Sequence, residues 1–401
     1  MEYSLLGSEP ALTSRLIEVR RSLHREPELS NEEIKTTEKL RKWLTEADIR
    51  ILDLPLKTGL IAEIGTGNKP VVVIRCDIDA LPIQEQTGLP FASEIPGKMH
   101  ACGHDFHTAT ILGAAYILKS RESELPGTVR VLFQPAEETG HGAKEVLASG
   151  GLADVSAIFG LHNNPDLPVG TFGTRTGALT AGVDRFEISI RGTGAHAATP
   201  ERGEDTIVTA AQIIMALQTI ASRVTSAIEP VVLSVTRIQA GNTWNVLPEL
   251  VEMEGTVRTY NEEIRRMIPE KIRQIIRGVG ASAGVKAELL WTPGPPATIN
   301  DAEWADFTKE TAAGAGYEVV DLAPQMGGED FALYLQTIPG AFVNIGTASR
   351  FALHHPQFTV DEAALVPAAR YFALLAEAAL TKLVLKPAFR YEDRNERNNN
   401  L

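Results

Sequence analysis

Val71-Val72-Val73-Ile74-Arg75-Cys76 reads as a strand with one polar side chain in its length. Apolar residues on successive rather than alternate positions belong to a strand covered on both faces, which is the condition of a parallel sheet packed between helices. The flanking sequence keeps to that plan. Upstream, amphipathic helices fit residues 14–25 and 31–44, the second opened by a Ser30 or Asn31 cap with Glu33 close behind, and 59–64 is another strand. Downstream come a helix over about 104–120, a strand at 129–133, a helix near 143–148 and a strand at 157–160. Helices and buried strands in alternation specify an α/β layer with a mixed, largely parallel sheet flanked by helices.

Near Gly182 the order changes. Strand (186–191), helix (206–223), strand (231–238), strand (251–260), helix (262–279) and strand (285–291) spell βαββαβ, a self-contained ferredoxin-like unit. Pro293-Gly294-Pro295-Pro296 closes it, because consecutive prolines continue neither a helix nor a central strand. The α/β pattern then resumes with a helix near 301–313, a strand at 341–345 and a closing helix at 361–383. The expected organisation is a first catalytic part at 1–183, an inserted domain at 184–292, a second catalytic part at 293–385, and an Arg/Asn/Glu-rich disordered tail or expression remnant at 386–401.

At 401 residues and 44% hydrophobic the chain can bury more than one core. Its formal charge of -13 argues against nucleic acid or an anionic membrane as partner and favours small molecules. The first residues carry no apolar core with basic flanks, and no stretch approaches the roughly 18 uninterrupted apolar residues of a membrane span, so the expected compartment is the cytoplasm. The two cysteines, Cys76 and Cys102, make no disulfide framework and are available to metal.

The chemistry-bearing residues cluster in short motifs. Met99-His100-Ala101-Cys102-Gly103-His104-Asp105-Phe106-His107 crowds three of nine histidines and a thiol around a glycine that lets the chain turn, so that Cys102 and His104 can reach one ion. The duller alternative is a buried thiol beside a capping histidine. Gln134-Pro135-Ala136-Glu137-Glu138 follows an apolar strand, at the end that faces the ligand crevice of an open sheet. Consecutive side chains point apart, so one carboxylate can bind metal while its neighbour takes a proton from water. The pair could equally be solvated charge at a helix start. His162 ends a strand, and Leu353-His354-His355-Pro356 offers two further imidazoles before the closing helix. Together these residues fit a two-ion hydrolytic centre. The insert adds His196 in a Gly-rich loop, Asn245 in a polar turn between strands, and Arg258 at a strand end, where a guanidinium fork suits a carboxylate.

With these motifs assembled, the chain resembles the M20 metallopeptidase family, in the amidohydrolase branch with N-acyl-amino-acid deacetylases, hippurate hydrolases and auxin-conjugate hydrolases. The resemblance covers about residues 13–384 and includes Asp77-Ile78-Asp79-Ala80-Leu81-Pro82, Gly194-Ala195-His196-Ala197, Trp244-Asn245-Val246-Leu247-Pro248, Gly255-Thr256-Val257-Arg258 and Gly327-Gly328-Glu329-Asp330-Phe331. It implies that Cys102, His104, Glu138, His162 and His354 ligate metal, with His355 an alternative to His354, and that Glu137 is the general base. The insert resembles the family's lid and dimerisation domain. There the resemblance implies that His196 holds the developing oxyanion from a partner subunit and that Asn245 and Arg258 hold substrate. Other M20 branches carry a His-x-Asp ligand motif where this chain has Asp77-x-Asp79, so these aspartates are read as supports. The expected enzyme is a metal-dependent amidohydrolase cleaving N-acyl, above all N-acetyl, L-amino acids, with two divalent ions (zinc, manganese, cobalt or nickel) and a homodimeric or tetrameric assembly. N-acetyl-cysteine and related sulfur metabolites are the first substrate choice, N-acetyl-diaminopimelate or a dipeptide the next. A non-catalytic metal or small-molecule binder is the rival from another class, and it gives no reason for Glu137 beside a full ligand set.

Overall fold

A computed structural model describes residues 8–65 and 67–385; the tail expected at 386–401 lies outside them. The chain opens with α1 (Glu9–Arg25), α2 (Ile34–Glu46), β1 (Arg50–Ile51), β2 (Leu60–Gly65), β3 (Val71–Asp77), α3 (His104–Ser120), β4 (Thr128–Gln134), α4 (Gly142–Ala148), β5 (Ala157–Asn164) and β6 (Thr171–Thr174). Its middle holds β7 (Gly177–Thr180), β8 (Gly182–Arg191), β9 (Ala195–His196), α5 (Thr206–Thr219), β10 (Val231–Ala240), β11 (Val246–Leu247), β12 (Leu250–Thr259), α6 (Glu262–Ala283), β13 (Lys286–Pro293) and β14 (Thr298–Asn300). It closes with α7 (Ala302–Gly314), β15 (Glu318–Asp321), α8 (Ala332–Leu335), β16 (Gly340–Gly346) and α9 (Leu365–Leu385). The chain divides into two compact units, one of 1–176, 300–322 and 334–401, the other of 177–299 and 323–333. The second reaches beyond the expected 184–292 at both ends, since β8 already begins at Gly182 and the 323–333 segment joins it through Ala181, whose N–H donates to the carbonyls of Gln325 and Gly327.

The first unit is built on an eight-stranded sheet of order β1-β2-β4-β3-β5-β16-β6-β15. The central strands β4, β3, β5 and β16 run parallel, while β1, β2 and the β6–β16 pairing are antiparallel. All seven residues of β3 are buried, as its unbroken apolar run requires. Helix α3 is buried from His104 to Leu118 and packs on β3, α1 and α9. At Gly113 a Cβ would lie 2.7 Å from Leu16 Cδ1 and 2.8 Å from Ala369 Cβ, so a side chain there would push the three helices apart.

One expected signal is displaced. Helix α2 is preceded by Glu33, with no side-chain cap bond, rather than by Ser30 or Asn31. Asn31 turns with φ 67°, Ser30 Oγ donates to Asp79 Oδ2 at 2.7 Å, and Glu33 is buried accepting from Thr58 Oγ1 and from the N–H of Ala136. Ser30, which looks like a cap, is occupied in holding the loop that carries Asp79.

The second unit has a four-stranded antiparallel sheet of order β10-β12-β8-β13. Numbered along this unit, the order is 2-3-1-4, the arrangement of a ferredoxin-like fold. Alternate residues of β8, among them Phe186, Ile188 and Ile190, pack with Ile213 and Leu217 of α5 and Ile268, Ile272 and Ile276 of α6. Two stretches, Thr206–Val224 and Glu362–Leu385, are long and apolar enough to cross a membrane by length and composition; the second is 67% buried within the protein and serves as a core helix.

Candidate metal centre

Strands β4, β3 and β5 are neighbours and parallel, so their carboxyl ends open on one rim, and the loops leaving them meet there. Asp77 ends β3, Glu137 and Glu138 follow β4, and His162 lies near the end of β5. Gly103, with φ 85°, turns the chain into α3, and a Cβ on it would sit 2.4 Å from Asn163 Nδ2. That turn presents Cys102 and His104 to the same side. Ala136 (φ 53°) and His354 (φ 65°) adopt the left-handed conformation that non-glycine residues avoid, each in a loop that delivers a candidate ligand.

Several of the expected donor atoms lie close together. Cys102 Sγ is 3.3 Å from His162 Nε2, and His104 Nε2 and His354 Nε2 are 3.9 and 3.6 Å from Glu138 Oε1. Five sets of donor atoms each fall within 4.8 Å among the described residues: Cys102, His104 and His162; Cys102, Glu138 and His354; His104, Glu137 and Glu138; Asp77, His104 and His107; and Glu137, Glu329 and Asp330. His355 is turned aside, stacked on Phe351 at 4.4 Å and accepting the Gln357 N–H on Nδ1. His104 Nδ1 donates to Asp79 Oδ1 at 3.2 Å, and the N–H of Glu138 donates to Asp79 Oδ2 at 3.0 Å. Asp79 thereby orients one residue from each of two loops.

These residues fit divalent metal on their own chemistry. His104 Nε2 and Glu138 Oε1 are buried polar atoms with no hydrogen-bond partner, an arrangement that costs free energy unless something fills it. Burial, with Glu138 and Glu137 nearby, pushes the Cys102 thiol well above its ordinary pKa, and burial also raises Glu138. Burial would lower His104, but Asp77, Asp79 and Glu138 outweigh it and carry the imidazole up to about 10. His162, half-buried beside His107, falls to about 3 and keeps a free lone pair. Such a cluster is short of positive charge, and its soft and hard donors are those of a mixed N, S and O metal site.

The family description "Peptidase family M20/M25/M40" matches residues 73–378. The chain belongs to this family. It is 54% identical over 375 residues to an N-acetylcysteine deacetylase of Bacillus subtilis, a match covering 93% of this chain and 99% of that protein. It is 48% identical to an N-acetyl-L-cysteine deacetylase of the same organism over 90% of this chain and 87% of that one. The crystal structure of a dinuclear metal-binding M20 peptidase from Bacillus subtilis superposes with a TM-score of 0.84 at 52% identity, covering 94% of this chain and all of the other. The M20 chain described here is accordingly an amidohydrolase that works with divalent metal.

The remaining sequence candidates of this M20 enzyme lie in the second unit. His196 sits on β9, pairs with Val246 of β11 and accepts the Ala198 N–H on Nδ1 at 3.0 Å. The Asn245 carbonyl accepts the Ala197 N–H at 3.0 Å, which brings the two candidate loops together. Arg258 is half-buried on β12, its Nε donating to Thr256 Oγ1, with no carboxylate in ion-pair range among the described residues. Asn163 and Glu33 hold the site's loops in roles that their local motifs do not announce. Asn163 had a signal, as the residue directly after a strand-end histidine; Glu33 had none, because its partners Thr58 and Ala136 are remote in sequence.

Proposed function

We propose that this enzyme hydrolyses the acyl amide bond of N-acyl L-amino acids, N-acetyl-cysteine and related sulfur metabolites first among them. The observation that carries this reading is the convergence of Cys102, His104, Glu138, His162 and His354 with Glu137 beside them. The names of the two Bacillus subtilis relatives support the substrate. Two divalent ions would be held by donors drawn from Cys102, His104, Glu138, His162 and His354. The thiolate and three imidazoles suit zinc, cobalt or nickel, and the carboxylate admits manganese. The ions, when bound, polarise the acyl carbonyl and make water acidic enough to attack near neutral pH.

The protein's own residues then divide the work. Glu138 binds, and Glu137 takes a proton from the attacking water and returns it to the leaving amine. His196, whose Nδ1 already accepts a hydrogen bond, carries its proton on Nε2 and donates it to the oxyanion, a contribution of about 2.7–4 kcal/mol for donors of this kind. Arg258, with no ion-pair partner among the described residues, takes the substrate carboxylate, and Asn245 helps to hold the amide. Domain roles follow: the first unit is catalytic, and the second serves as lid and dimerisation domain in a cytoplasmic homodimer.

Glu137→Ala tests the division of labour. Its turnover should fall by about 10²–10⁴-fold, the range general acid–base groups supply, while metal content stays at the wild-type level. Loss of metal in that variant would sink the assignment of the two glutamates. A panel of N-acetyl-L-cysteine, N-acetyl-diaminopimelate, N-benzoyl amino acids and dipeptides, run with each metal, tests the substrate class. Turnover of dipeptides alone would overturn it.

A further inference from the structure

Around the candidate ligands runs a chain of hydrogen bonds that none of the roles above uses. His107 Nδ1 lies 2.6 Å from Asp77 Oδ1, and its Nε2 receives both the backbone N–H of Asn163 at 2.8 Å and the Asn163 side-chain amide at 3.0 Å. Two donors on one ring nitrogen make that nitrogen an acceptor, so the ring is neutral and its single proton is on Nδ1, donated to Asp77. The other hydrogen of Asn163 Nδ2 goes to the Cys102 carbonyl at 2.5 Å. The Asn163 carbonyl receives His162 Nδ1 at 2.6 Å, which leaves His162 Nε2 bare and facing Cys102 Sγ, and Asn163 Oδ1 receives Thr347 Oγ1 at 3.4 Å.

Every polar group of Asn163 is therefore engaged, and two of its bonds end on the residues that carry candidate ligand atoms. The ring of His107 stacks on His104 at 5.3 Å and meets His162 edge-on at 4.8 Å, so it packs against both imidazoles. Gly103 leaves room for this, since a Cβ there would collide with Asn163 Nδ2. Partners that orient ligands in this way are commonly worth about 10–100-fold in metal affinity.

We propose that His107 and Asn163 are positioning residues which, anchored on Asp77, set the direction of the Cys102 and His162 donor atoms. The proposal rests on the reading of those two residues as metal ligands. The test uses the full-length protein loaded with cobalt(II), whose visible and thiolate charge-transfer bands report the geometry at sulfur and nitrogen. Asn163→Ala and His107→Ala should move these bands and release cobalt to a chelator about 10–100-fold more readily than wild type. His107→Gln, which can still offer an acceptor to Asn163, should recover part of both. Unmoved bands and unchanged chelator competition, with only a lower melting temperature, would overturn the proposal in favour of plain packing. Should Asn163→Ala not fold, Thr347→Val carries the test, with displaced bands supporting the relay and wild-type bands overturning it. A wild-type protein without a thiolate-to-cobalt band, and indifferent to Cys102→Ser, would overturn the ligand reading itself.

Discussion

Cys102 and Glu138 both hold protons more tightly than their ordinary pKa values allow, the thiol and the carboxyl each raised first by burial. A cation that takes these atoms as ligands must displace those protons, so metal affinity should climb with pH and binding should release acid. Calorimetric titration in buffers of different ionisation enthalpy measures the protons released; affinity that is flat between pH 6 and 8 would contradict the donor set. The residues that carry this effect were readable from local motifs, because Cys102 and His104 are one residue apart and Glu137 and Glu138 adjacent. The choice between His354 and His355 was not local. The two differ in a left-handed turn at His354 and in the stacking of His355 on Phe351, which only the folded loop displays.

Helix α1 illustrates what element-level patterns conceal. Its apolar spacing announces a packed helix, but the same face buries Arg20 and His24, which meet Asp105 at 3.0 and 2.9 Å, and His24 also reaches Glu85 at 3.2 Å. Burial would depress His24, yet Asp105 and Glu85 outweigh it and raise the imidazole from 6.5 to about 9. The stability this contributes is complete below the unfolded value near 6.5 and is lost as pH rises through about 9. Denaturant titrations between pH 6.5 and 9 should show a downward slope that His24→Gln removes; an identical slope in the variant would place the effect elsewhere. The buried strands β3, β4 and β5 were legible because their runs are long and apolar. Strands β1, β6 and β15, of two to four residues, were not, since so short a stretch carries no period.

At the scale of the molecule, the second unit ends its sheet on β10, whose backbone edge is unpaired within the sheet order, with Val232 and Ile238 exposed along it and Ile207, Val208 and Met215 exposed on α5. Apolar residues beside an open strand edge are what a second copy of the chain can cover. In the proposed dimer, Met215→Glu combined with Val232→Lys should shift the sedimentation mass to that of a monomer without altering the circular dichroism of the fold. A wild-type protein that sediments as a monomer at all accessible concentrations would end the dimer proposal.

The position of β16 between β5 and β6 bears on how the chain is made. Synthesis runs from one end, and β16 at Gly340–Gly346 emerges well after β6 has ended at Thr174. At about 5–20 residues per second, the first sheet stands with a gap in its row of strands for on the order of ten seconds. The second unit, nearly contiguous in sequence, has emerged almost whole by then. The second unit is thus nearly complete before the eight-stranded sheet of the first is closed by β16, the last of the described strands to emerge.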